Sequence, residues 1–514
     1  MVDVLVIGAG GAGLTSALFA KSMGATVLVV NKSYPTNSQT SMAQGGINAS
    51  LANMGSDSVE SHIADTLKSA NGLGDLEMIE ELCQNAPEAI EWLESIGVPF
   101  SRTKESKISQ RRLGGATSKR ACYSQDYTGL KILHTLYDNS LKEGIDFLNE
   151  HYLLDLISDS GVVQGAILLD INSGEIKEVR AKSVIIATGG YGSIYRNFTT
   201  NSYGSTGDGL LAVQRAGGEL RDMEFIQFHP TALKGSSILI SESARGEGGY
   251  LVNSKGERFV DELLPRDRVA REIFYQIDSG ESVYLDIRHL GEEKIMELLP
   301  QEVHLCRVHE GVDPISELIP IKPVAHYTMG GIGVDRELRV DGLIGCFAVG
   351  ECSSAKIHGA NRLGGNSLLE LIVFGKKAGL NAFNFSSKDR DGSLDSGILD
   401  RVVSDIEEIY NYKTSINFYR EWDSLGEEFY SRAGIIRDRE ALTILLDEVK
   451  ALKESIKLMG IGDKSRVANT NLIDFLEFRN SLYLGEIVIE YALKREESRG
   501  AHFRSDFPNS REIL

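Results

Sequence analysis

The stretch V-D-V-L-V-I-G-A-G-G-A-G, from Val2 to Gly13, decides the fold. Val2 to Ile7 is an apolar, branched run broken only by Asp3, the pattern of a buried parallel strand. Gly8, Gly10 and Gly13 follow as G-x-G-x-x-G. A helix pattern comes next, and Val27 to Val30 make a second strand. In that context each glycine has a physical purpose. Gly8 permits the tight turn, Gly10 lets a pyrophosphate approach the backbone, and Gly13 lets helix and strand pack closely. The free N–H groups of the helix start face the phosphates. A dinucleotide is therefore expected here; the bland alternative is a glycine-rich turn that only packs well. NAD sites carry Asp or Glu about twenty residues on. Asn31 and Lys32 stand there instead, which argues against NAD and leaves FAD open.

The 514 residues suffice for two or three domains, and 42% hydrophobic with 25% charged residues is ordinary for a globular protein. A net charge of −19 argues against nucleic acid and against an anionic membrane face. An acidic protein that binds an anionic cofactor must concentrate positive charge locally, so arginines inside motifs gain interest. Cys83, Cys122, Cys306, Cys346 and Cys352 include no C-x-x-C, so no iron–sulfur, haem or zinc framework is expected, only reduced thiols in a cytoplasmic protein. The apolar N-terminus holds the glycine motif and reads as strand and helix, not as a signal peptide, and no run reaches the length of a membrane span.

In chain order, the polar, small-residue loop from Ser33 to Ser50 suits close backbone contact with a flat ligand. Ser58 to Ser95 reads helical, with Trp92 and Leu93 in the core; Tyr127 to Tyr137 reads as a helix with His134 packed on its apolar side. Arg111, Arg112, Gly114 and Gly115 lie in a polar loop. Ser183 to Ala187 is a strand ending in Thr188-Gly189-Gly190, and Phe347 to Val349 is another ending in Gly350-Glu351. Two strands of one sheet would thus bracket about 150 inserted residues, best read as a second domain that covers the ligand. From about Asp400 onward, amphipathic patterns indicate a helical C-terminal domain.

The insert and the chain returning from it carry F-I-Q-F-H-P-T-A-L, L-I-S-E-S-A-R-G-E-G-G, E-L-L-P-R-D-R-V-A, K-P-V-A-H-Y-T-M-G-G-I and H-G-A-N-R-L-G-G-N-S-L-L-E. His229, Ser241, Glu242, Arg245, Arg266, His326 and Arg362 fall in or near glycine- or proline-containing loops. Arginines in such low-charge surroundings need partners when buried. Together with His and hydroxyl groups they suit a small dianion, because Arg grips carboxylates bidentately and stays charged.

These motifs resemble those of the flavoprotein subunit of the fumarate reductase and succinate dehydrogenase family. The likeness runs from Gly8 to E-S-R-G-A-H-F-R at Glu497 to Arg504. It implies an α/β protein: a Rossmann-like FAD-binding domain (1–225 and 343–399), an inserted α+β capping domain (226–342) and a helical C-terminal domain (400–514). It implies FAD held by Gly8, Ala9, Gly10, Gly11, Ala12 and Gly13. Asn31, Lys32, Ser38, Gln39, Thr40, Ala43, Gln44, Gly45 and Gly46 would contribute next, with Asp208, Glu351, Ser367 and Leu368 completing the set. His229, Ser241, His326 and Arg362 would hold the two carboxylates of fumarate or succinate. Arg266 would donate the proton, with Glu242 and Arg245 as its relay and Asp267 as the alternative, purely structural, ion partner of Arg266. An iron–sulfur subunit, and a further donor or membrane-anchor subunit at the cytoplasmic face of a membrane, are the implied partners.

Two departures bear on these expectations. Members in membrane complexes carry a flavin-bonding histidine in S-H-T; here the stretch is Ser38-Gln39-Thr40, so the flavin is expected to be non-covalent, which favours fumarate reduction. The chain also stops soon after Asp506-Phe507-Pro508, where such members continue, so a docking surface is expected to be reduced or changed. L-aspartate oxidase is the nearest rival, but it places a glutamate for the substrate ammonium where Leu113 stands. A non-catalytic flavin electron-transfer module would not need the dicarboxylate set.

Overall fold

The computed structural model describes residues 1–387 and 397–512. Val2–Ile7 lies between two parallel neighbours, Val27–Val30 and Ile176–Ile186, with Asp146–Leu148 beyond the former. Burial on both faces explains the unbroken apolar run from Val4 to Ile7. Ile176–Ile186 serves two ladders. Its first half pairs antiparallel with Val162–Asp170, itself paired with His151–Asp159. From Ala181 onward it runs parallel to Val2–Ile7, and Cys346–Ala348 pairs with Val184 to Ile186 from the other side. The chain thus leaves this seven-stranded sheet at Ile186 and returns to the neighbouring position at Cys346.

The chain between forms a four-stranded antiparallel sheet in the order Ile226–Leu233, Ile319–Thr328, Val283–Asp286, Tyr250–Asn253. Helices Arg266–Asp278 and Pro300–His309 complete an apolar core of its own, with Leu251, Val269, Ile273, Leu285, Val303 and Ile319 at its centre. The C-terminal part is helical: Ile398–Tyr410, Phe418–Arg432, Arg439–Glu454 and Thr470–Lys494. Asn417, Asp438 and Asn469 accept backbone N–H bonds at the starts of the last three, which fixes where they begin. The expected class, an α/β FAD-binding fold with a capping sheet and a helical C-terminal region, is the class observed. Among the described residues no helix is long and apolar enough to cross a membrane.

Two expectations need correction. His134 is exposed: the buried stripe of Thr128–Lys142 runs through Ile132, Leu133 and Leu136, and position 134 falls on the opposite side. Trp92 is half-buried, tilted against Phe19 at 4.9 Å, whereas Leu93 is fully buried. All five cysteines are buried and unpaired.

Candidate functional site

A cleft of about 1650 Å³, counted out to its mouth, runs from the glycine turn to the capping sheet. Helix Gly11–Ser22 starts at its floor with no acidic residue in its first turn; Gly11 N donates to Thr40 Oγ1 at 3.1 Å, and the positive end of the helix faces the cleft, where an anion is favoured. Gly8 has φ +109°, and a Cβ there would meet the Ala187 carbonyl at 2.2 Å. Gly13 does not line the cleft; a Cβ on it would sit 1.9 Å from Gly8 O, so the close packing of helix and strand requires glycine there. Every other residue expected to hold FAD lines the cleft. On its walls Asn31 Nδ2, Ser38 Oγ, Gln44 Oε1 and Thr188 Oγ1 are among the polar atoms buried with no partner among the described residues. Such atoms call for a ligand with matching groups, and a dinucleotide fits them. Gln39 accepts from Ser202 N at 2.8 Å and donates to Thr200 O at 3.3 Å, so its amide is spent on that loop.

At one end of the cleft Lys32 Nζ donates to Asp208 Oδ2 at 2.7 Å and to Glu477 Oε1 at 2.6 Å. Asp208 Oδ1 accepts from Tyr152 OH, Thr206 Oγ1 and Asn480 Nδ2 at 2.8–2.9 Å. Burial would lower the lysine's proton affinity; the two carboxylates outweigh it and raise it. Burial pushes Glu477 up, while Lys32 brings Asp208 down against the same tendency.

At the other end the walls are cationic. Arg266 opens helix Arg266–Asp278 and donates to Glu242 Oε2 from Nη2 at 2.6 Å and from Nε at 3.2 Å. Arg245, behind the wall, donates to Glu242 Oε1 at 3.2 Å. Burial works to raise Glu242, but the two guanidiniums hold it down at about 2. Arg266 therefore pairs with Glu242, not with Asp267, which faces Arg271 at 2.8 Å and Asn361 at 3.0 Å. Arg362 donates to Ser367 Oγ at 2.7 Å. Burial, then repulsion from Arg266, lowers its pKa to about 9.

His229 and His326 line this end with ring centroids 4.8 Å apart. His229 Nδ1 is held by the Thr231 backbone at 3.0–3.2 Å and His326 Nδ1 by Thr200 Oγ1 at 2.7 Å, which leaves each Nε2 for a ligand. Burial keeps both rings neutral, helped at His229 first by Arg266 and at His326 first by His229. Ser241 caps the short helix Glu242–Gly246 through Ser243 N at 3.1 Å. Contrary to the loop reading, His229 and His326 sit within strands. A register break after His229, where Pro230 interrupts the ladder, turns the chain there.

Sequence reasoning missed Gln227. Its Oε1 accepts from Arg266 Nη1 and Arg362 Nη2, both at 3.1 Å. Its Nε2 donates to Asn361 Oδ1 and Arg362 O, both at 2.8 Å, which fixes the amide's orientation. The signal was available: two positions before His229 on a strand means the same face. Leu113 lines the cleft and is buried; a Cβ on Gly45 opposite would lie 3.6 Å from it. Among the described residues no cluster of metal-ligand type occurs.

Comparison with known proteins agrees with this geometry. Residues 3–368 match the FAD binding domain family, and residues 422–512 match the fumarate reductase flavoprotein C-terminal family. A succinate dehydrogenase flavoprotein subunit of Rickettsia bellii is 39% identical over 99% of this chain and 90% of its own length. The 8-methylmenaquinol:fumarate reductase flavoprotein subunit of Wolinella succinogenes is 41% identical over 98% and 86%. Among solved structures, a mutant quinol fumarate reductase of E. coli superposes with a TM-score of 0.95 at 36% identity, covering 100% of this chain and 92% of that one.

Proposed function

The chain belongs to the fumarate reductase and succinate dehydrogenase flavoprotein family, and on that premise we propose that it reduces fumarate to succinate with a non-covalently held FAD. One observation carries the substrate reading. Of three buried arginines at the cationic end of the cleft, Arg245 and Arg266 share one carboxylate, Glu242, and among the described residues none pairs directly with Arg362, which leaves two positive charges in excess around a space lined by His229, His326 and Ser241. A dicarboxylate neutralises them; a monocarboxylate or an ammonium does not.

When bound, FAD supplies the hydride that the carbon–carbon double bond requires. Arg362, Ser241 and the two histidines orient the carboxylates, and their donors stabilise the charge that builds up during reduction. Arg266 gives the proton from Nη, balancing the hydride to yield succinate. Glu242, 2.6 Å away, returns a proton to Arg266, and Arg245 lies on its other oxygen. Gln39 cannot bond the flavin, and its amide is already engaged by residues 200–202. This supports the non-covalent reading, and with it the direction of fumarate reduction. We propose an iron–sulfur subunit as the electron donor.

The test is a titration of purified flavoprotein with fumarate and with L-aspartate, following flavin absorbance, then acid precipitation. The expected result is a spectral response to fumarate only, and yellow colour in the supernatant. A response to aspartate with oxygen uptake would replace the assignment by an aspartate oxidase. Colour remaining on the precipitate would remove the argument for direction.

A further inference from the structure

Arg362 is the one guanidinium of the dicarboxylate end whose hydrogen bonds all go to neutral groups. Among the described residues it donates to Ser367 Oγ and Gln227 Oε1, its Nε has no partner, and no carboxylate pairs with it directly. It is nevertheless buried at 3% exposure and repelled by Arg266. What it has instead is a ring face: its Cζ lies 4.3 Å from the centroid of Tyr327. The Tyr327 hydroxyl donates to Glu370 Oε2 at 2.9 Å, and both residues are buried. His358 Nε2 lies 3.0 Å from the same oxygen and 3.2 Å from the Tyr327 hydroxyl, so the trio is locked together.

We propose that Tyr327 and Glu370 are positioning residues for the dicarboxylate. The Tyr327 ring, hydrogen-bonded through its hydroxyl to the buried Glu370 carboxylate, holds the Arg362 guanidinium in the cleft against the repulsion of Arg266. A cation over an aromatic face gains most where water is excluded. A phenol that donates to a carboxylate is polarised toward the oxygen, which enriches the ring that faces the cation. The negative charge of Glu370 thus acts on Arg362 through the ring, without an ion pair that would compete with a substrate carboxylate for the guanidinium. The proposal rests on the reading of Arg362 as a carboxylate ligand. The other charged or titratable groups around Arg362 are Arg266 and Glu242 from the capping helices, His229 and His326 from the capping strands, and Glu351 from the turn after Cys346–Ala348.

The experiment uses the FAD-loaded flavoprotein and three variants: Tyr327→Phe, Glu370→Gln and Arg362→Gln. Succinate and fumarate affinities are read from flavin absorbance. KM and kcat are read with a reduced viologen donor between pH 6 and 10. Tyr327→Phe keeps the ring and cuts the link to Glu370. It is expected to raise KM and Kd about tenfold with a smaller change in kcat. The alkaline limb of dicarboxylate binding, where Arg362 loses its proton, is expected to move to lower pH. Glu370→Gln should act in the same direction. A purely structural role would lower FAD content or melting temperature without moving that limb. If Arg362→Gln binds dicarboxylates as the wild type does, the site reading itself fails. If Arg362→Gln loses binding while Tyr327→Phe and Glu370→Gln keep the wild-type Kd and alkaline limb, the positioning proposal is overturned. Should Tyr327→Phe not accumulate as holoprotein, Glu370→Gln decides by the same two readouts.

Discussion

The two ends of the cleft are oppositely built. At the nucleotide end one cation, Lys32, is held between two carboxylates, Asp208 and Glu477, and Asp208 is satisfied further by Tyr152, Thr206 and Asn480. At the other end two guanidiniums, Arg245 and Arg266, share Glu242, and a third, Arg362, donates only to neutral groups. The first end closes its charges on itself and leaves its ligand to backbone amides and uncharged donors. The second keeps unspent charge, which only a dianion satisfies. On the proposed reading the difference teaches that burial alone does not mark a substrate site: charge left open does.

The largest expected effect tests the open end. Arg266→Lys keeps the charge but loses the planar fork that spans Glu242 and Gln227, and fumarate turnover should fall on the order of a thousandfold while FAD is retained. Steady-state assay beside a flavin count checks this; substantial residual turnover would remove Arg266 as proton donor. Next comes the closed end. Lys32→Met leaves Asp208 and Glu477 buried without their cation and should cost about 4 kcal/mol of stability. Chemical denaturation reads it directly, and an unchanged midpoint would mean that the pair is not a charged cluster at all.

Glu351, which lines the cleft near Arg362, is pushed up to about 7 by burial despite the Thr328 N–H at 3.0 Å. Its folded pKa exceeds its unfolded one, so the native state binds the extra proton between pH 4.5 and 7. Its contribution to stability is therefore full below about 4.5 and is lost as pH rises through 7. Glu351→Gln should match the wild type near pH 4.5 and exceed it by up to about 3 kcal/mol at pH 8. Parallel stability curves for the two proteins would contradict the shift. The smallest effect concerns Leu113. A glutamate there would add negative charge to the wall that carries Glu242 and should weaken fumarate binding by roughly tenfold while favouring an ammonium. Unchanged fumarate affinity in Leu113→Glu would place position 113 outside the ligand's reach.

The legible parts of the molecule were those whose physics is local. A glycine turn between two strands declares itself over Val2 to Val30 because the turn, the helix start and the close packing all depend on neighbours in sequence. The Asn31 to Gly46 stretch and the proposed substrate residues came from short motifs and the family resemblance they carry. The resemblance offered Glu242 as the partner of Arg266, with Asp267 as the alternative; only the fold decides between them, because the helix turns position 267 toward Arg271 and the carboxylate that reaches the guanidinium is Glu242, 24 residues away. Gln227 has no charge to draw notice, and its role exists only when strand and returning loop meet. His134 shows the reverse error: a histidine among leucines was read as buried although its helical phase points it outward.

Lys32 and Glu477 are separated by 445 positions, and Glu477 lies on helix Thr470–Lys494. Synthesis runs from the first residue to the last, so the Lys32 ion cluster cannot exist until nearly the whole polypeptide has left the ribosome. The glycine turn is the first part of the cleft to be made, and the carboxylate of Glu477 that completes the Lys32 cluster is among the last.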